Sequence, residues 1–283
     1  MAIHIGLTGW GDHDTLYPTK TTSTNKLSTY SSYFPVVEVD TAFYAIQPEK
    51  NYQKWVTDTP DRFSFVIKAF QGMTGHDRQK KSLQEAKELF AAYKQSITPV
   101  LHANKLNCIL FQFPPWFDVT KANIRKLRVI RELLPDLPLA LEFRNRTWFE
   151  GNRKNQTIQF MKEEKWIHTI CDEPQAGVGS IPTVLEPTSE HNTLVRFHGR
   201  NVHGWNRNGQ ADWRAVRFLY HYNRRELEEW ASHLNELDNA CRNVTVLFNN
   251  NSGGDAARNA IELMELLNIT YEQLNPRQLD LFE

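Results

Sequence analysis

Eight short, mostly apolar runs recur along the chain, and segments of helical periodicity lie between them. The runs predict β-strands at Ile3–Thr8, Val36–Asp40, Phe63–Ala69, Cys108–Phe113, Leu139–Phe143, Ile167–Cys171, Thr193–His198 and Val244–Asn249. Helices are predicted at Lys26–Tyr33, Glu49–Asp58, Lys81–Ala103, Lys121–Leu133, Gln156–Glu164, Arg224–Cys241 and Asp255–Leu267. Because strands that alternate with helices form parallel sheets, eight such units in 283 residues favour an α/β fold of one closed (β/α)8 barrel.

Two segments depart from this regular pattern. Glu173–Asn192 contains three prolines and no helical periodicity, so we expect a loop in place of the sixth helix. After the last predicted helix, Pro276 sets a short C-terminal segment apart. We therefore divide the chain into a barrel domain at residues 1–273 and a tail at residues 274–283.

The equal numbers of basic and acidic residues limit which macromolecules the whole protein surface can attract. Lys plus Arg and Asp plus Glu number 33 each, so binding to nucleic acid would need a local basic patch. No apolar run is long enough to span a membrane, and no basic segment precedes an apolar one at the N-terminus. The three cysteines are scattered, as in proteins with reduced thiols, so we expect a cytoplasmic protein.

Alternation within the predicted strands places polar side chains inside the barrel. Successive side chains of a strand point to opposite faces, and the apolar set of each strand must meet the helices. The polar sets then point inward and gather at the C-terminal strand ends, where barrel enzymes build their sites. This reasoning brings together Glu38, Asp40, Lys68, Gln112, Glu142, Arg144, Asp172, Arg196, His198 and Asn249.

Eight segments of the chain resemble one family. They are Ile5–Pro18, Phe34–Pro48, Phe63–His76, Leu110–Phe117, Leu141–Trp148, Val195–Arg200, Tyr220–Trp230 and Leu247–Ala260. In order, and over nearly the whole chain, they are similar to the YecE-like proteins, which are also called domain of unknown function 72. The resemblance implies a TIM-like barrel, in agreement with the strand pattern. It implies no reaction, because a barrel fold hosts many unrelated activities.

Glu142 is the first candidate for catalysis. A carboxylate at a strand end in a partly desolvated mouth can have a raised pKa and act as a general acid or base. His198, Glu38 and Asp172 complete the predicted catalytic set. The alternative is that Glu142 pairs with arginine in a ladder of charges that fills the barrel.

The same carboxylates and His198 are also of the types that bind a divalent cation. No HxH or HExxH spacing is present, however, and two arginines and Lys68 lie among them. We therefore predict no metal and no other cofactor.

Arg196–Arg225 is the one locally basic segment, with seven arginines against a single acidic residue. Guanidinium groups beside aromatic rings suit phosphates and unstacked bases, although a solvated surface with arginine stems lying over rings is the alternative. Loops after the seventh and eighth strands of barrels often bind phosphate. We predict an anionic small molecule or nucleic acid in an aromatic-rimmed mouth, bound by Arg144, Arg196, Arg200, Lys68, Gln112, Asn249, Asn250, Trp10, Trp148 and Trp205.

Two functions remain open as hypotheses. The first is hydrolase- or lyase-type acid/base chemistry by Glu142 on a phosphorylated or nucleotide substrate. The second is a non-catalytic or repair-type protein associated with nucleic acid. The tail favours the second, because its sequence QLDLF resembles the peptide by which bacterial polymerases and repair proteins bind the replication sliding clamp. The contacts would come from Gln278, Leu279, Leu281 and Phe282, unless these apolar side chains pack on the barrel instead.

Overall fold

Eight parallel strands pair in chain order, and the last pairs with the first, which closes a barrel. The computed structural model describes residues 3–18, 21–206 and 213–277. The strands are β1 Ile3–Thr8, β2 Val36–Val39, β3 Ser64–Lys68, β4 Leu106–Gln112, β5 Leu139–Glu142, β6 Ile167–Asp172, β7 Asn192–Phe197 and β8 Asn243–Phe248. The predicted (β/α)8 barrel is confirmed.

Helices surround the barrel. They are α1 Lys26–Tyr30, α2 Glu49–Thr57, α3 Gln71–Thr74, α4 Leu83–Ser96, α5 Thr98–His102, α6 Lys121–Leu133, α7 Arg153–Glu163, α8 Val202–Trp205, α9 Trp213–Arg217, α10 Arg224–Ala240 and α11 Asp255–Leu266. Single 3-10 turns lie at Asp14–Leu16, Asp40–Phe43 and Arg146–Trp148. No helix within the described residues is long and apolar enough to cross a membrane.

Two features of the helix layer bear on the predictions. The single helix predicted at Lys81–Ala103 is wrong, because α4 ends at Ser96 and a separate helix starts with Pro99 in its first turn. Proline suits that position, where no N–H donor is needed, but not a helix interior. The expected loop after β6 is confirmed, since residues 173–191 are all described and contain no helix.

Apolar side chains fill the barrel from its N-terminal end. The members of this inner cluster are Val36, Val66, Cys108, Leu110, Ala140, Ile167, Leu194 and Leu247. A larger apolar core lies between the outside of the barrel and the helices. Because inward side chains alternate, the next inward positions on β2, β5 and β7 are Glu38, Glu142 and Arg196, one layer closer to the C-terminal mouth.

The segment after α11 completes the barrel wall beside β1. Pairing between β1 and β2 begins only at Gly6, so the earlier part of β1 has free backbone groups on that side. Tyr271 fills this gap: its hydroxyl accepts from Ile5 N at 2.8 Å and donates to Ile3 O at 3.1 Å. Asn275 then bonds to α1, so the described start of the tail lies against the barrel.

A buried histidine on β6 should make the stability of the fold depend on pH. His168 is 2% exposed, its Nδ1 donates to Glu186 O at 2.9 Å, and burial lowers its pKa to about 4. A histidine in the unfolded chain has a pKa of about 6.5, so the unfolded chain takes up the proton first as pH falls. We expect this to cost about 3 kcal/mol of unfolding free energy between about pH 6.5 and pH 4.

Urea titrations at neutral and mildly acidic pH measure this loss. His168→Gln should flatten the pH dependence, whereas His102→Gln, at an exposed position on α5, should leave it unchanged. An equal pH dependence in the wild type and His168→Gln would contradict the expectation.

Candidate functional site

A guanidinium group crosses the barrel at the level of the inward carboxylates. Arg196 of β7 donates from Nε and Nη2 to the two oxygens of Glu38 at 2.9 and 2.8 Å, and from Nη1 to Glu142 Oε2 at 2.6 Å. All three residues are buried, with exposed fractions of 1% or less. Two-point contacts of this kind fix both partners in orientation as well as in charge.

Arg144 extends the same arrangement. Its Nε lies 2.7 Å from Glu142 Oε1 and its Nη1 donates to Glu173 Oε2 at 2.6 Å. Its Nη2 contacts Nε2 of His198 at 3.0 Å. We call these six residues, Glu38, Glu142, Arg144, Glu173, Arg196 and His198, the charge network. The sequence correctly brought five of them together and missed Glu173.

The protonation state of Glu142 follows from its neighbours. Burial alone would raise the pKa of this carboxyl, but Arg196 and Arg144 outweigh burial and hold the pKa well below its ordinary value. Glu142 is therefore a carboxylate fixed between two guanidinium groups. Burial raises the pKa of Glu173 to about 7, although Arg144 opposes the shift.

His198 is a neutral imidazole. Burial and the charge of Arg144 hold its pKa well below the ordinary value. Its Nε2 lies 3.0 Å from Arg144 Nη2, and its Nδ1 lies 2.9 Å from the side-chain amide nitrogen of Asn249. The imidazole thus links the charge network to the next layer of the mouth.

Lys68, Gln112 and Asn249 form that next layer, and all three are partly exposed. Lys68 Nζ donates to Gln112 Oε1 at 3.1 Å and lies 4.8 Å from the ring centroid of Phe43. Burial lowers the pKa of Lys68, an effect that the nearby Glu38 counteracts. Within the described parts of the chain, no ion pair involves this lysine.

The placement of Asp172 inside the barrel is wrong. Asp172 aligns with Phe197, which packs outward on Trp230, so its side chain lies on the helix side of the sheet. There it accepts from the indole N–H of Trp230 and from Arg200 Nη2 at 2.7 Å. The inward residue of β6 is Cys171, and Arg200 belongs to an outer ion pair rather than to the mouth.

Trp148 also lies away from the mouth. The 3-10 turn after β5 directs it into the helix layer, where it is 1% exposed and stacks on Phe143 with centroids 4.0 Å apart. Its indole N–H donates to Phe117 O at 2.7 Å. The predicted placement of Trp148 at the mouth is therefore wrong. Trp10 is partly buried and packs edge-on against Trp55 at 5.2 Å.

Asn250 is a structural residue. It is fully buried, and its amide donates to Tyr220 O and to Asn259 Oδ1, both at 2.9 Å. These contacts tie the loop after β8 to the segment before α10 and to α11. Asn249, its neighbour, is the one that faces the mouth.

Trp205 covers the charge network from above. It is 2% exposed, and its ring lies 5.1 Å from the Arg144 guanidinium and 4.4 Å from that of Arg217. Burial and the charge of Arg144 lower the pKa of Arg217 to about 9. Arg217 lies in the basic segment but is not among the predicted site residues, because α9 stands outside the regular alternation of strands and helices.

Three potential metal ligands meet in the network. One ligand atom each from Glu142, Cys171 and His198 lies within 4.8 Å of the others. The set does not fit a divalent cation, because each carboxylate oxygen of Glu142 already pairs with an arginine. Burial also raises the pKa of the Cys171 thiol, which keeps its proton on the sulfur.

Fold and site together define a class: a (β/α)8 barrel whose C-terminal mouth rests on buried Arg–Glu ion pairs. The chain belongs to the DUF72 family of proteins of unknown function, whose model matches residues 4–280. It is 59% identical over 281 residues to the UPF0759 protein YunF of Bacillus subtilis (strain 168), which covers 99% of this chain and 100% of that protein. These names assign no reaction.

Solved structures of the family have the same fold. A DUF72 family protein from Enterococcus faecalis V583 is 39% identical, with a TM-score of 0.89 over 98% of this chain and 100% of that one. A second, from Thermotoga maritima MSB8, is 26% identical, with a TM-score of 0.82 over 95% of this chain and 100% of that one.

Proposed function

We propose that the mouth of the barrel binds a small phosphate-bearing molecule and that Lys68 neutralises its charge. One observation carries the proposal. The predicted anion-binding arginines are engaged, since Arg196, Arg144 and Arg200 each pair with carboxylates, whereas Lys68 has an amide oxygen as its partner and no ion pair among the described residues. An ammonium group held in a partly desolvated site is stabilised when an anion joins it.

The hydrogen-bonding capacity around Lys68 suits such a ligand. An ammonium group has three donors, and the contact with Gln112 uses one of them. That contact uses the amide oxygen of Gln112 and leaves its NH2 group without a hydrogen bond among the described residues. Asn249, which follows β8, adds a side-chain amide next to His198.

The geometry supports binding more directly than acid/base catalysis. Glu142 is held as a carboxylate by two guanidinium groups, so it has no proton to donate near neutral pH. Glu173 has a pKa of about 7, but its side chain is fully buried against Arg144. We infer that the charge network is the rigid floor of the site, and that ligand contacts are made above it.

Association with nucleic acid stays a prediction. Gln278, Leu279, Leu281 and Phe282 lie outside the described residues, so the clamp peptide has no structural account. Of the arginines in the basic segment, Arg200 pairs with Asp172 and Arg224 with Glu228. These pairs leave less free positive charge than the sequence suggests, which favours the small ligand.

Lys68→Met should weaken the binding of inorganic pyrophosphate by about tenfold or more, because a charge-assisted hydrogen bond is lost. Isothermal titration calorimetry at constant, low ionic strength measures the effect. Lys165→Met is the control, since Lys165 is exposed and precedes β6, at the end of the barrel away from the mouth. No binding by the wild type, or equal affinities in the wild type and Lys68→Met, would refute the proposal.

A further inference from the structure

Three consecutive loops carry aromatic side chains beside Lys68. Phe43 and Tyr44 follow β2, His76 follows β3, and Trp116 follows β4. Their rings form a chain of contacts: Phe43 lies 5.2 Å from Tyr44 and 4.9 Å from His76, and His76 lies 6.0 Å from Trp116. We call these four residues the aromatic rim.

The rim leaves two large rings open to solvent. Tyr44 is 59% exposed and Trp116 is 50% exposed, although most aromatic side chains in this protein are buried. Exposed rings that are grouped, rather than scattered, mark a binding surface. Pro114 and Pro115 restrict the backbone of the loop that carries Trp116, so this loop is held in place without a bound ligand.

The chemistry of the rim suits a planar, electron-rich ring. Burial and the charge of Lys68 lower the pKa of His76 to about 4, so its imidazole is an uncharged face near neutral pH. The Arg78 guanidinium lies 4.4 Å from the Trp116 ring. Flat aromatic and guanidinium faces of this kind stack on nucleic-acid bases.

A sugar ring fits the rim less well than a base. Sugar hydroxyls need hydrogen-bonding side chains around them, and two of the polar side chains beside the rim already have partners. Thr74 Oγ1 contacts His76 Nδ1 at 2.8 Å, and Asp77 pairs with Lys81. The rim therefore offers stacking surface with few free polar groups.

We infer that the ligand of the mouth is a nucleoside monophosphate, with its phosphate at Lys68 and its base stacked on the aromatic rim. The inference rests on the proposed function. Lys68 itself touches the rim, since its Nζ lies 4.8 Å from the Phe43 ring centroid. The cationic end and the stacking end of the site are therefore close enough for one small molecule to reach both.

Binding of AMP, ribose 5-phosphate and adenosine, compared at one salt concentration by calorimetry, tests the inference. We expect AMP to bind at least about tenfold more tightly than ribose 5-phosphate, because stacking of one base contributes that much or more. Trp116→Ala combined with Tyr44→Ala should bring AMP down to the affinity of ribose 5-phosphate and leave the latter unchanged. Leu83→Ala, at a 58% exposed position on α4, is the control and should change neither.

The outcomes separate the two proposals. Equal affinities for AMP and ribose 5-phosphate, both weakened in Lys68→Met, would overturn base stacking and leave phosphate binding standing. Adenosine binding as tightly as AMP, with no effect of Lys68→Met, would overturn both. Because Tyr44 and Trp116 are exposed, their alanine variants should melt at the wild-type temperature, which excludes misfolding as the cause of lost binding.

Discussion

Arg196→Met should lower the free energy of unfolding by about 3–5 kcal/mol, which is a large part of the total stability of a typical domain. The methionine fills a similar volume, but Glu38 and Glu142 lose the guanidinium that they share, and both are fully buried. Protonation of the carboxyls limits the cost at low pH, so the loss should be larger at pH 8 than at pH 6. Urea denaturation followed by tryptophan fluorescence measures it.

A surface ion pair provides the matched control. Arg224→Met removes an arginine that pairs with Glu228 on α10, and both side chains are more than half exposed. Its effect should stay below about 1 kcal/mol. If Arg196→Met does not fold, the double variant Arg196→Met/Glu38→Gln should regain part of the stability by removing one orphaned charge. Equal effects of Arg196→Met and Arg224→Met would show that the charge network has no structural role.

Trp148→Ala should destabilise the fold by about 3–5 kcal/mol, as expected for the loss of a large buried ring. The ring is stacked on Phe143, and its indole N–H donates to Phe117 O, so alanine leaves both a cavity and an unpaired carbonyl. Thermal and urea denaturation report the change. Trp116→Ala, on the exposed rim, should stay within about 0.5 kcal/mol of the wild type. A stable Trp148→Ala protein with weakened AMP binding would restore the ligand role that its sequence position suggests.

Strand alternation gave correct inward positions wherever one face of a strand is apolar and the other polar. On β5, Leu139 and Leu141 leave no doubt that Glu142 points inward, and the structure confirms it. β6 has no such contrast, because both of its alternating sets mix apolar and polar side chains: Ile167, Thr169 and Cys171 on one face, His168, Ile170 and Asp172 on the other. The placement of Asp172 therefore had no pattern to support it, and it was wrong.

The residues that were missed or misplaced lie where the chain leaves the strands. Glu173 lies in the loop after β6, and Arg217 ends the short helix α9, which no regular strand–helix alternation predicts. The turn after β5 directs Trp148 toward the helices.

The pairing of Glu142 with arginine was one of the two alternatives that the sequence left open, and the structure shows it. The contact between Arg196 and Glu38 was not predicted. Arg196 and Glu38 are 158 residues apart. The sequence could place both inside the barrel, but it could not show that they form an ion pair with each other.

The span of that contact has a consequence for how the protein folds. During synthesis β2 and β5 emerge before β7. The carboxylates of Glu38 and Glu142 therefore stay hydrated until Arg196 on β7 can pair with them. A barrel missing β7 cannot bury these charges without a large cost, and it keeps a hydrated interior. Closure and dehydration of the interior must then occur together. The buried ion pairs should therefore form late in folding and disfavour half-closed intermediates.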